Sequence, residues 1–368
     1  MNPATPAVEV SASIPTYTLN IIRANKVEKK AIAWLWPGRI PLGKTSVFNG
    51  YPGEGKSLAT CSLIACVTTG KVFPDGGSND LPPSDVLILS TEDDPSSVLV
   101  PRLEAAGANT SRVLIMRSAT GTLGDREIAL DRDREEISKY LLAHPDIRLF
   151  VIDPITNHMG EKNFFKDTEV RALLKPLESS GVTNLIVGHL NKSTGASAGQ
   201  RMQGSVAFIG LARAAYLFVR HGDCQHMLLI KNNYARPSGL RYTFETVPIS
   251  VAGASVDVPR ILWLGKSDVD PDIALDPKTK VNEKQESSKV EAACQFLLAQ
   301  LADGPMGATE CKAAAKDDGI SEHTLRRARE KLELDIYVDG ETRRSMWKLP
   351  PVHSFANPFR TPPPPVKS

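Results

Sequence analysis

Gly50-Tyr51-Pro52-Gly53-Glu54-Gly55-Lys56-Ser57 is the stretch that decides how this chain folds. An apolar run over 45–49 precedes it, and a helix-like stretch over 58–66 follows. Strand, glycine-rich turn, Lys-Ser and helix, in that order, make a phosphate-binding loop. The glycines let successive backbone N–H groups turn inward around a polyphosphate, and the new helix points its positive end at the same spot. On this reading Gly50, Pro52, Gly53, Glu54, Gly55, Lys56, Ser57 and Leu58 cradle a nucleoside triphosphate. Lys56 reaches the outer phosphates, and the Ser57 hydroxyl sits on Mg²⁺.

Outward from this loop, short β-branched runs alternate with helical stretches from Ala33 to about Gly265. That alternation predicts an α/β domain with a mostly parallel sheet. Strands are expected over 46–49, 86–90, 113–116, 149–153, 184–188, 215–219, 227–231 and 242–245. Helices are expected over 57–69, 96–106, 132–143, 168–179 and part of 205–213. The domain reading is a loose arm over 1–30, a nucleotide-binding domain over 31–265, a polar linker over 266–288, a small second domain over 289–349 and a Pro-rich, disordered tail over 350–368.

Two further strands deliver carboxylates. Arg148-Leu-Phe-Val-Ile-Asp153 ends in a residue suited to Mg²⁺, directly or through water, because sheet ligands gather at the carboxyl ends of strands. Val86-Leu-Ile-Leu-Ser-Thr-Glu92-Asp93-Asp94-Pro95 places acidic residues at the end of the next strand. Glu92 is the candidate to polarise the attacking water. The alternative is that the three acids only cap the following helix, where negative charge is favoured and Pro95 suits the first position. Both roles are compatible if Asp93 or Asp94 is the cap.

Trp34-Leu-Trp-Pro-Gly-Arg-Ile-Pro-Leu-Gly-Lys44, the loop 50–57, and Glu92-Asp-Asp-Pro95 followed by Pro101-Arg-Leu together resemble the AAA_25 family. The resemblance covers roughly residues 30–250. It implies a RecA-like P-loop NTPase core, similar to RepA-like hexameric helicases and more distantly to DnaB and KaiC. It also implies ATP and Mg²⁺ as cofactors, with ATP sites between neighbouring copies. By the same comparison His189, in Gly188-His189-Leu-Asn-Lys192, matches a γ-phosphate sensor, though a strand-end His also serves as a plain structural residue. Arg213 matches an arginine finger acting on the adjacent subunit, with a helix-face salt bridge as the alternative. Lys231 matches a strand-end lysine that projects toward the neighbour. DnaB-type relatives place an arginine two residues later; here that residue is Asn233, which makes Arg236 a reserve candidate.

Two stretches point to nucleic acid. Segment 157–166 carries two phenylalanines and Lys166, and segment 191–204 is rich in Gly, Ser and Ala with Lys192 and Arg201. In the resembled helicases such loops line a channel and grip single-stranded DNA; backbone amides and a few cations follow phosphates without reading bases. An ordinary surface lid is the alternative. Near the C-terminus, helical patterns over 290–301 and 308–316, a turn at 317–320 and a Ser321-capped helix over 322–332 describe a helix-turn-helix. A strand pair over 335–338 and 343–349, turned at Asp339-Gly340, completes a winged-helix pattern. Arg326, Arg327 and Arg329 face outward from the third helix, and Arg343 and Arg344 lie on the wing, as duplex contact requires. Glu322, Glu330 and Glu333 dilute that charge, and a protein-binding winged helix is the alternative.

The 368 residues are 41% hydrophobic and 23% charged with a formal net charge of +2, which excludes a polycation, so a nucleic-acid surface must be a local patch. Cys61, Cys66, Cys224, Cys294 and Cys311 form no CxxC pair, as expected of reduced thiols. No charged-then-apolar leader opens the sequence, and no apolar run approaches the ~18 residues of a membrane span. The expectation is a cytoplasmic, ring-forming homo-oligomer, with a hexamer as the first choice and a primase or initiator as a further partner. The function it suggests is a plasmid- or phage-type replicative DNA helicase. The rival readings are a non-translocating DNA-bound ATPase (loader, recombination mediator or regulator) and a nucleotide-switched oligomer.

Overall fold

The computed structural model describes residues 19–122, 124–162, 166–190, 206–340 and 342–350, with the backbone alone at 206 and 277–287. The chain divides into two units at Ala33/Trp34. In the first, the described part has no regular secondary structure apart from one turn of 3₁₀ helix at Ala24–Lys26, closed by Lys26 N–H donating to Arg23 O at 2.9 Å. Its apolar residues Leu19, Ile21 and Ile22 are exposed.

The second unit begins with a small hairpin, β1 (Trp34–Trp36) and β2 (Ile40–Pro41), before β3 (Thr45–Gly50) carries the chain into the phosphate loop. There follow α1 (Lys56–Thr69), β4 (Asp85–Ser90), α2 (Val100–Ala105), β5 (Val113–Met116), a short pair β6 (Ala119–Gly121) and β7 (Gly124–Arg126), α3 (Leu130–Ala143) and β8 (Ile147–Asp153). Next come α4 (Asp167–Ser179), β9 (Thr183–His189), α5 (Val206–Leu211), β10 (Ala214–His221), β11 (Cys224–Asn232), β12 (Gly239–Val251) and β13 (Ala254–Ser267).

Among the described residues these strands form one nine-stranded sheet in the order β13-β12-β11-β10-β3-β9-β8-β4-β5. The six strands from β10 to β5 run parallel, and β11, β12 and β13 extend the edge antiparallel. Central parallel strands are covered on both faces, so they read as continuous apolar runs. Neighbouring side chains then enter opposite cores. Phe48 and Val151 join the cluster under α1 and α2, whereas Val47, Phe150 and Ile152 join the cluster under α3, α4 and α5. This is a mixed α/β fold with a mostly parallel central sheet, and it fits a P-loop NTPase core.

Two sequence expectations need correction. The segment read as a linker over 266–288 is structured along most of its length: β13 runs to Ser267, and a short helix, α6 (Pro271–Leu275), follows. Asp270 caps α6 by accepting from Asp272 N–H at 2.8 Å, Pro271 opens it, and Ala274 and Leu275 pack on Leu217 and Leu228. The missed signal was Asp-Pro as a cap followed by a first helical residue. Helix α7 (Pro277–Gln300) then runs on without a break at 288. Likewise, the strand expected over 242–245 is one arm of a long hairpin. Ala252 (φ 50°) and Gly253 (φ 85°) make its two-residue turn, with Val251 paired to Ala254. Two positive φ angles suit such a hairpin, but Ala-Gly is a weaker signal than Asn-Gly.

The chain ends in β14 (Met306–Gly307), α8 (Ala308–Asp317), α9 (Glu322–Lys331), β15 (Asp335–Val338) and β16 (Ser345–Lys348). Ser321 accepts the Thr324 N–H at 3.2 Å, as the cap reading requires, and Gly319 turns the chain at φ 74°. The strands form a three-stranded sheet, β14-β16-β15, over a core of Leu297, Cys311, Leu325, Ala328 and Trp347. Among the described residues no helix is long and apolar enough to cross a membrane.

Arg39 is 2% exposed and pairs with Asp75 at 2.6 Å, while Trp36 Nε1 donates to the other carboxylate oxygen at 3.0 Å. Removing one member of a buried pair strands the other charge. Asp75→Ala is therefore expected to lower the unfolding free energy by about 3–5 kcal/mol, measurable by urea denaturation with Arg39→Met/Asp75→Ala as the double-variant control.

Candidate nucleotide site

The loop hangs from the centre of the sheet. Gly50 lies opposite His189 on β9 and Phe218 on β10, and a Cβ on Gly50 would stand 2.4 Å from Phe218 O. Only glycine fits. Gly53 and Gly55 hold φ of 82° and 81°, which other residues adopt at a cost, and α1 starts directly after them. Its first N–H groups have no intrahelical partner, so they and the helix dipole form an anion seat.

Lys56 is buried, and its Nζ donates to Gly50 O at 3.0 Å and Tyr51 O at 2.9 Å. Burial lowers its pKa to about 8, against the pull of Asp153, Glu54 and Glu92. Asp153 ends β8 opposite Ser90 on β4, and the Ser57 hydroxyl donates to its carboxylate. Burial pushes Asp153 up to about 6, which the Ser57 hydrogen bond and the Lys56 charge only partly offset. A buried carboxylate beside a hydroxyl is a hard-oxygen donor set that fits Mg²⁺, an ion that takes one or two protein ligands and completes its shell with water and phosphate. The described residues contain no cluster of three or more His, Cys, Asp or Glu able to enclose a metal.

Glu92 follows β4 and stays exposed, with His189 Nε2 3.8 Å from its Oε1. His189 has its pKa lowered by burial first and by Lys56 second, so it is neutral at pH 7. Its Nδ1 is buried without a hydrogen-bond partner among the described residues. Leu190 N–H donates to Gly50 O at 3.2 Å, tying the chain that leaves β9 to the same carbonyl that holds Lys56. The neighbouring acids take structural roles. Asp93 pairs with Arg102 at 2.7 Å, and Asp94 caps the next helix, where the Ser96 and Ser97 hydroxyls and N–H groups hold its carboxyl down to about 2. Cys61, inside the site wall, is no nucleophile, since burial raises its thiol to about 12.

The structure thus gathers Gly50–Leu58, Glu92, Asp153 and His189. Arg213 and Lys231 lie at the other end of the sheet: Arg213 N–H donates to Thr45 O at 2.9 Å, and Lys231 pairs with Ala215. Lys231 does not project freely; its Nζ donates to Ile209 O and Gly210 O at 2.9 and 2.7 Å, closing the end of α5. Of the expected DNA contacts, Lys192 and Arg201 lie outside the described residues, and Lys166 pairs with Glu169 at 3.2 Å. Arg327 does not face outward as expected: it grips Asp223 at 2.8 and 2.9 Å. Arg326 and Arg329 line a depression with Lys312, His323 and Trp347, and Arg329 lies 5.4 Å over the Trp347 ring. Arg344 meets Glu310 at 3.6 Å, and Arg343 occupies the hairpin turn at φ 53°. Sequence reasoning missed Tyr242 and Phe244, which stand against the phosphate loop; their alternation in Arg-Tyr-Thr-Phe marked only a strand.

Chemically, the loop and Lys56 could take the terminal phosphates, Asp153 and Ser57 would hold a Mg²⁺ ion that supplies counter-charge to them, and Glu92 could orient water. Fold and site define a P-loop NTPase. The model of the AAA_25 family, described as an AAA domain, matches residues 14–195, so this part of the chain carries an AAA-type ATPase domain. No curated protein matches the chain.

Because the Asp153 pKa is raised, its carboxyl is largely protonated below about pH 6 in the metal-free protein. Metal requires the carboxylate, so binding must expel that proton. Calorimetry of Mg²⁺–nucleotide binding in buffers of different ionisation heat is expected to show release of about one proton from Asp153 at pH 5 and none from it at pH 8, where Lys56, with its pKa near 8, instead takes up part of a proton. Asp153→Asn should abolish the release at pH 5 and leave the uptake at pH 8.

Proposed function

We propose that this protein is a RecA-like ring ATPase that uses ATP and Mg²⁺ to act on DNA, as a RepA-like replicative helicase does. The observation that carries this reading is the position of Arg213. From its pairing beside Thr45 it stands five strand residues from Gly50, about 17 Å at the rise of a strand. It is exposed and has no ion-pair partner among the described residues. A cation placed there cannot serve its own phosphate loop, but it suits the loop of a copy packed against that end of the sheet. In that place it meets charge that develops as the phosphoryl group transfers. Lys231, anchored on the end of α5, positions Arg213 from beside it, while Arg236, also exposed, is the reserve finger.

Within such a ring, counted as a hexamer by analogy with the resembled helicases alone, the segments carrying Lys166, Lys192 and Arg201 would contact a single strand. The bond from Leu190 to Gly50 offers a route by which phosphate state at His189 would reach the second of those segments. The helix and strand order after Val290 supports a winged helix for duplex contact, with Arg326, Arg329 and Arg343 as its cations. A primase or initiator is the further partner proposed.

A second reading has its own support. The cations of the C-terminal unit are heavily engaged: Lys312 with Glu322, Arg327 with Asp223, Lys331 with Glu291 and Arg344 with Glu310. Exposed pairs are weak and phosphate can displace them, yet this pattern also suits a unit that binds protein. The enzyme would then be a loader, a regulator or a nucleotide-switched oligomer.

Arg213→Ala is expected to cut ATP turnover by about 10³-fold or more while nucleotide affinity is kept. Mixing it with Lys56→Ala protein should restore part of the activity, because some interfaces then join an intact loop to an intact finger. No recovery on mixing would refute action in trans. Forked-duplex unwinding separates the two readings: ATP-driven unwinding supports the helicase, and DNA-stimulated hydrolysis without unwinding supports the loader. Truncation after Asp276, ahead of α7, should weaken DNA binding and leave hydrolysis in place; unchanged DNA affinity would assign the C-terminal unit to protein contact.

A further inference from the structure

We infer that Phe244 is the platform on which the base of the bound nucleotide stacks, an assignment that rests on the ATPase reading and adds to it. The argument begins with which side of the loop the two ends of a triphosphate must occupy. In the sheet, β9, β8 and β4 lie on one side of β3, and β10 to β13 lie on the other. The groups that act on the terminal phosphate, His189, Asp153 and Glu92, all belong to the first side. The terminal phosphate therefore points there, and the nucleoside end of the same chain is left on the side of β10 to β13.

On that side an aromatic ring stands against the loop. A Cβ on Gly55 would lie 2.6 Å from Phe244 Cε1 and 3.3 Å from Tyr242 Cε2. The ring is backed from within the core. The Tyr242 hydroxyl donates to Glu54 O, its ring meets Phe244 at 6.0 Å and 68°, and Trp263 packs on Tyr242 at 5.3 Å. Trp263 Nε1 in turn donates to Ser62 Oγ on α1 at 3.0 Å, so the stack is fixed to the helix that starts at the phosphates.

Phe244 is the outermost member of this stack and is 36% exposed, while Tyr242 is fully buried. Pairing of β12 with β11 stops at Tyr242, so among the described residues no neighbouring strand covers Phe244 on that edge. An aromatic ring held at one edge, exposed at the other and set beside a phosphate seat is what a planar base needs, since stacking tolerates any base but favours the larger purine face.

The rival role is a wedge that merely keeps Gly55 in place, and the two roles differ in what they do for phosphates alone. The test measures, on the full chain with Mg²⁺, the affinity for ATP and for inorganic tripolyphosphate by calorimetry in Phe244→Ala, Phe244→Leu and Phe244→Trp. Leucine keeps apolar bulk against Gly55 if alanine disturbs the fold. A base platform predicts that alanine and leucine weaken ATP roughly tenfold or more, that tryptophan retains the affinity, and that tripolyphosphate binds all variants as it binds the parent. Equal loss of ATP and tripolyphosphate in Phe244→Leu, or no loss of either, overturns the platform and leaves the ATPase reading standing. If the parent protein binds neither ligand, the ATPase reading itself falls and the platform with it.

Discussion

Gly50 is the point at which the central sheet, the phosphate loop and the strand ending at His189 meet. Its Cα presses so closely on β10 that no side chain fits, and its carbonyl accepts from both Lys56 Nζ and Leu190 N–H. A displacement of the loop therefore cannot be local. It must break a hydrogen bond to Lys56, to the chain leaving His189, or the fit against Phe218. Because β3 is central, with parallel neighbours on both sides, the sheet holds this point from two directions. The loop gains its rigidity from that packing, since Gly53 and Gly55 by themselves favour freedom.

The electrostatics follow from the same burial. Lys56 and Asp153 have shifted in opposite directions, the ammonium down and the carboxyl up, for one cause: both charges are withdrawn from water. Their attraction offsets this only in part. A polyanion with a divalent cation supplies the missing counter-charges to each, so binding energy comes from relieving a cost already built into the fold. Asp94 shows the contrast. It is an exposed acid whose caps hold it ionised, and it serves structure with no strain to relieve.

How much of this was legible in the chain depended on distance along it. The phosphate loop, the strands ending at Asp153 and before Glu92, and the Ser321 cap were readable because each depends on residues a few positions apart. The helix after Asp270 was written in equally local signals but was hidden by the polar composition around it. The return strand β13 was missed because its turn, Ala252-Gly253, is a weak hairpin cue, and the hairpin is held by long-range packing of Ile261 and Trp263 on the core. Arg327 was read outward from helical periodicity alone, which cannot see Asp223 on another element.

The sequence alone determined that a phosphate-loop pattern opens a mostly parallel α/β domain and that two strands end in or lead to acidic residues, because loop geometry, helix polarity and strand burial are set by neighbours in the chain. Only the tertiary structure decided that Arg213 stands at the far end of the sheet from that seat, that Lys231 closes α5, and that Phe244 abuts Gly55. Those relations depend on strand order and register, which link residues as much as 189 positions apart and are fixed only when the whole sheet packs.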